Sequence, residues 1–135
     1  PDLEMLANQA EIIAHENPSG LDAKTCLSDT AIKFIRNLGF SEMAMDLGAC
    51  LVIADTGIHG HTREAVSKVR SLEEKALPYL HRLGNLASTI EIGLLAKDLL
   101  VVGQAMNRAH DELNHLGVSS PEANHLVHIA KIIRY

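Results

Sequence analysis

The run His15-Glu16-Asn17-Pro18-Ser19-Gly20-Leu21-Asp22 constrains this chain most. Pro18 disfavours helical geometry at Asn17, Gly20 permits dihedrals that other residues avoid, and Ser19 supplies a hydroxyl for local bonding. A helix cannot run through such a stretch, so the chain must stop and turn here. Upstream, Leu3, Leu6, Ala10 and Ile13 recur at helical spacing, which predicts an amphipathic helix from about Asp2 to His15. Downstream, Asp22 is expected on a stiff, exposed bend. A carboxylate held that way suits a chemical role, although a Pro-Ser-Gly turn also serves simply to connect elements.

After the turn the pattern changes from period 3.6 to period 2. The stretches from Ala31 to Asn37 and from Glu42 to Leu47 read as strands joined by Leu38-Gly39-Phe40-Ser41, because Met43, Met45 and Leu47 alternate with Ala44 and Asp46. Cys50-Leu51-Val52-Ile53-Ala54 is continuously apolar and predicts a central strand covered on both faces. It would deliver Asp55 to a ligand-facing end, although an aspartate that begins a turn usually bonds its own backbone. From His61 onward the chain reads as helical. Val66 and Val69 are expected inward on one helix, and Ala76, Leu77, Leu80 and Leu83 on the next. A further stripe runs from Leu86 through Leu99, Val102, Met106, Ala109 and Leu113. Gly117 should end that stretch, and Ser119-Ser120-Pro121-Glu122 is a helix start, with Leu126, Ile129 and Ile133 inward behind it. Four to five helices packed with a small antiparallel or mixed sheet make an α+β fold.

At 135 residues and 47% hydrophobic content the chain can bury a core. Phe34, Phe40, Tyr79 and Tyr135 are its only aromatic residues, so that core is aliphatic. A net charge of −5 without a basic stripe argues against nucleic acid as a partner. No apolar run approaches the ~20 residues that span a bilayer, and no basic-then-apolar leader opens the chain, so cytoplasmic residence is expected. Cys26 and Cys50 read as reduced thiols. Of the eight histidines, only His125 and His128 share a helix face, with no third zinc-type ligand at a standard distance, so surface or structural roles are expected.

The runs AEIIAHENPSGLDAKTCLSD, ACLVIADTGIHGHTREAV and GVSSPEA together resemble the middle and C-terminal part of bacterial mevalonate kinases of the GHMP kinase superfamily. The resemblance reaches from Leu3 to about Ile129. It implies a GHMP-kinase-like C-terminal part, with residues 1–48 closing the nucleotide- and substrate-binding domain and 49–135 forming part of the C-terminal domain. It further implies ATP and Mg²⁺ as cofactors and mevalonate as substrate. Asp22 matches the aspartate placed beside the substrate hydroxyl, Ser19 and Gly20 match the turn that shapes that site, and Glu11 matches the magnesium ligand. Thr62, within Gly60-His61-Thr62-Arg63, matches a threonine near the active site. Glu16 departs from the glycine that family members often have there. The family's phosphate-cradling loop has no counterpart, since none of the nine glycines are clustered as a nucleotide loop requires. Its N-terminal lysine and glycine-rich C-terminal motif are missing as well. The expectation is a fragment that is a poor kinase by itself. The alternatives are a non-catalytic fragment or helical interaction module on a kinase-like scaffold, able to form a homodimer through an uncovered apolar stripe, and a GHMP kinase for another small alcohol.

Overall fold

The computed structural model describes residues 2–14, 19–35, 37–43, 46–58 and 62–133. The fold is α+β. It comprises six α-helices and one two-stranded antiparallel sheet among the described residues, divided between two compact units, Pro1–Asp46 and Leu47–Tyr135.

In the first unit α1 (Leu3–Ala14) and α2 (Leu21–Leu27) pack together, and α2 also meets strand β1 (Ala31–Ile35). Strand β2 (Gly39–Met43) pairs with β1 so that Phe34 faces Phe40, their rings stacked with centroids 4.7 Å apart. Such a facing aromatic pair fixes the hairpin register. The turn sits earlier than the expected Leu38–Ser41 link. Asn37 adopts φ 72°, a conformation asparagine tolerates, and the Leu38 N–H donates to the Ile35 carbonyl at 3.0 Å. Phe40 and Ser41 are therefore strand residues, and the expected second strand from Glu42 to Leu47 starts instead at Gly39, with strand β2 described to Met43 and Ala44 and Met45 outside the described residues.

In the second unit α3 (Thr62–Ser71) leads through a 3₁₀ turn, Glu73–Ala76, into α4 (Leu77–Leu95), followed by α5 (Leu99–His115) and α6 (Pro121–Ile132). The α4–α5 connection is tightly specified. Asp98 N–H donates to the Gly93 carbonyl and Lys97 N–H to the Leu94 carbonyl, which ties off the end of α4. The Asp98 side chain then accepts from Val101 N–H and caps α5. Gly93 is buried where α5 crosses, which lets Val102 approach. At the far end Gly117, φ 71°, closes α5 with the same pair of bonds, from Val118 to Leu113 and from Gly117 to Asn114. Ser120 caps α6 through Ala123 N–H, and Pro121 occupies the first turn.

The expected central strand Cys50–Ala54 is not formed. Leu51, Val52 and Ile53 are 79, 86 and 84% exposed. Continuous hydrophobicity makes a strand only where neighbours take up its N–H and C=O groups, and among the described residues no hydrogen bond reaches the backbone of these three. Several helix faces expected inward also stay open, including those of Leu3, Leu6, Val66, Leu80, Met106, Leu113, Ile129 and Ile133. Among the described residues the buried apolar side chains are the smaller set Ala23, Ala76, Val102, Ala105 and Leu116. A stripe on one helix is covered only as far as a second helix reaches.

One ion pair ties α4 to α5. The Arg82 guanidinium donates two parallel bonds to the Glu112 carboxylate, each 2.8 Å, and lies 4.7 Å from the centroid of the Tyr79 ring. The bonds from Arg82, more than its charge alone, hold the Glu112 carboxyl below its ordinary value of 4.5, although partial burial opposes the shift. A lowered folded-state value means that the pairing stabilises fully above pH 4.5 and is lost as pH falls through the lowered value. Glu112→Gln is therefore expected to flatten the stability profile below about pH 4.5 without altering its shape near neutrality, as read from urea midpoints across a pH series.

Candidate functional site

The Ser19–Asp22 turn is built by its backbone. Gly20 adopts φ 74°, ψ 3°, a left-handed conformation that costs other residues strain, and stands as the N-cap of α2. The Ser19 hydroxyl accepts from Leu21 N–H at 3.2 Å, and Lys24 N–H donates to the Gly20 carbonyl at 3.0 Å. Asp22 consequently sits in the first turn of α2 and is exposed. This corrects the expected bend: the left-handed glycine starts a helix one residue before Asp22, and the seven-residue run Leu21–Leu27 is too short to carry a period that would announce it. The consequence for chemistry is a carboxylate anchored on a helical turn, favoured by the positive end of the helix dipole. Such a group can accept a hydroxyl proton from a bound alcohol.

Glu11 lies within α1, and its side chain is outside the described residues, as are His15, Glu16, Asn17 and Pro18. Thr62 opens α3 and is exposed, while His59, Gly60 and His61 before it are outside the described residues. Ser19, Gly20 and Asp22 belong to one unit and Thr62 to the other. Asp55 takes the ordinary role of a turn aspartate, its Oδ1 accepting from Gly57 N–H at 2.9 Å. Cys26 and Cys50 are free and exposed. Among the described residues no three His, Cys, Asp or Glu side chains converge to hold a metal ion.

A second constellation was not foreseen. A cavity of about 350 Å³ opens beside the start of α6, with Thr56, His110, Ser119 and Ser120 among its lining residues. Asn124 organises that wall. Its side-chain oxygen lies 2.8 Å from both Ser119 Oγ and His110 Nε2, and its amide donates to Asn114 Oδ1 at 3.0 Å. Because that oxygen only accepts, His110 donates to it through Nε2–H. Ser119 and Ser120 read in the sequence as capping residues. Nothing in the sequence couples them to His110, one helix back.

No family model matches the chain. The chain is similar to the mevalonate kinase of the archaeon Aeropyrum pernix, with 32% identity over 132 residues. The match takes in 94% of this chain but 41% of that protein, so the chain spans about two fifths of the length of its curated relative. No helix among the described residues is long and apolar enough to cross a membrane.

Proposed function

We propose that this chain works as part of a longer cytoplasmic kinase that transfers the terminal phosphoryl group of ATP to the primary alcohol of mevalonate. The observation that carries the reading is the similarity to an archaeal mevalonate kinase along nearly the whole chain. It is supported by an exposed carboxylate on a backbone-fixed turn, the kind of group such a reaction uses. In this reading residues 1–48 close the nucleotide- and substrate-binding domain and 49–135 belong to the C-terminal domain.

Asp22 orients the mevalonate hydroxyl and takes its proton as the oxygen attacks the terminal phosphorus and the bond to the ADP oxygen breaks. Phosphoryl transfer asks the protein chiefly for alignment and charge neutralisation, so a carboxylate on a rigid turn contributes by position as much as by basicity. Ser19 and Gly20 hold that turn. Glu11 is assigned to Mg²⁺, which takes few protein carboxylates and completes its shell with phosphate oxygens and water. Thr62 is assigned to the substrate side of the site.

A second reading, a non-catalytic interaction module, is favoured by the exposed run Leu51-Val52-Ile53, since contiguous uncovered apolar surface marks contact sites. Assay of the complete gene product with Mg-ATP against mevalonate, phosphomevalonate, homoserine and a panel of sugars separates the readings. Preferential phosphorylation of mevalonate is expected. Preference for another alcohol would replace the substrate, and a folded, self-associating protein with no phosphorylation of any of them would favour the module.

A further inference from the structure

We infer that residues 49–54 are a docking strand, whose two backbone edges are taken up in the complete gene product by strands from the part of the polypeptide outside this chain. The inference rests on the reading above only in taking the chain as part of a longer protein.

The segment is bounded as a strand is. Gly48 and Gly57 hold left-handed backbone, at φ 57° and 70°, and bend the chain at either end. Past the C-terminal end Asp55 Oδ1 accepts from Gly57 N–H at 2.9 Å and Thr56 Oγ1 from Ile58 N–H at 3.3 Å, so the exit turn is already closed. Residues 49–54 are uncharged, and their number is a common strand length. All of them are exposed. In a strand Leu51 and Ile53 would share one face and Cys50, Val52 and Ala54 the other, so both faces are apolar. That is the pattern of an interior strand, which has a neighbour on each edge.

The backbone selects the partner. Among the described residues no backbone hydrogen bond reaches Leu51, Val52 or Ile53. An apolar groove or a lipid surface would bury the side chains and leave these N–H and C=O groups unpaired, whereas a strand satisfies both. Six residues make fewer than two helical turns, too few to dock as a helix. A second copy of this chain meets half of the requirement, because twofold pairing of the run with itself uses one edge in each copy and leaves the other bare. Strands in the same polypeptide can take both edges, and tethering gives them an effective concentration of about millimolar. The match takes in 41% of the archaeal relative, so more than half of a protein of that length lies outside this chain. The partner strands present Val, Ile, Leu or Thr to the run and no charge, since it offers none to pair with.

The test uses the complete gene product, labelled for NMR. The amide protons of Leu51, Val52 and Ile53 should exchange at least about 100-fold more slowly than in an unstructured chain, because ladder bonds protect them. Cross-strand contacts should join the run to residues outside these 135. Val52→Pro removes a ladder donor and should lower Tm by roughly 5 °C or more, against almost no change at a solvated position. The wild-type exchange does not depend on any variant folding. Fast exchange at all three amides of the folded protein, or an unmoved Tm, overturns the inference, as do contacts confined to these 135 residues. Contacts found only between differently labelled copies overturn it in favour of self-association. Turnover answers separately for the kinase reading: a protected run in a protein that phosphorylates no alcohol keeps the docking strand and overturns the kinase, and turnover beside an unprotected run does the reverse.

Discussion

Asp22→Asn in the complete enzyme is expected to lower kcat by a factor of about 10² to 10⁴ while leaving ATP affinity within about twofold. Asparagine keeps the size of the side chain and can still bond a hydroxyl, but it carries no charge and accepts no proton. The change therefore removes the proton acceptor and the electrostatic anchor together. Asp22 is exposed in the first turn of α2, where surface substitutions shift stability by about 0.5 kcal/mol or less, so lost activity cannot be ascribed to unfolding. Steady-state kinetics, with an equilibrium titration of ATP on the same preparation, separate the two quantities. Near-normal turnover in this variant would remove Asp22 from the mechanism.

The largest stability effect is expected at Gly93→Val. A Cβ at that position would stand 2.8 Å from Val102 Cγ2 and 3.3 Å from the Asp98 carbonyl oxygen. Neither neighbour yields easily. Val102 is buried, and its own N–H donates to that same carbonyl at 3.1 Å to begin α5. Overpacking of this kind costs about 1–3 kcal/mol, which in a unit this small lowers Tm by roughly 10 °C. Gly84, also within α4, supplies the control. Nothing lies within 4 Å of a Cβ built there, so Gly84→Ala should stabilise by about 0.5–1 kcal/mol through helix propensity alone. Opposite signs at two glycines of one helix would locate the α4–α5 crossing in solution. Equal effects at both would place the crossing elsewhere.

Local chemistry was the legible part of this fold. The start of α6 at Ser120-Pro121 and the end of α5 at Gly117 could be read because caps and left-handed glycines act within a few residues of themselves. The hairpin was recognisable, but its turn was displaced because Asn37 rather than Gly39 opens it. Cys50–Ala54 was read as a buried strand because hydropathy reports what a segment would gain from cover and says nothing about whether cover is present. The site divides in the same way. Ser19, Gly20 and Asp22 stand within four residues of one another, so their turn could be seen in the sequence, whereas α2, at seven residues, is too short to show a period. The cavity could not be seen at all. It gathers Thr56, His110 and Ser119 from three separate segments, and the residue that organises two of them, Asn124, has no motif of its own.

The central claim is that the Asp22 turn belongs to an enzyme that phosphorylates mevalonate. Phosphorus NMR of the complete gene product mixed with Mg-ATP and mevalonate tests it most directly, because the product is identified by its own resonance and ADP appears beside it. A new phosphomonoester signal growing in step with ADP and requiring mevalonate is expected. ATP that stays intact in the presence of a folded protein, or ADP that accumulates with free phosphate and no phosphomonoester, would contradict it.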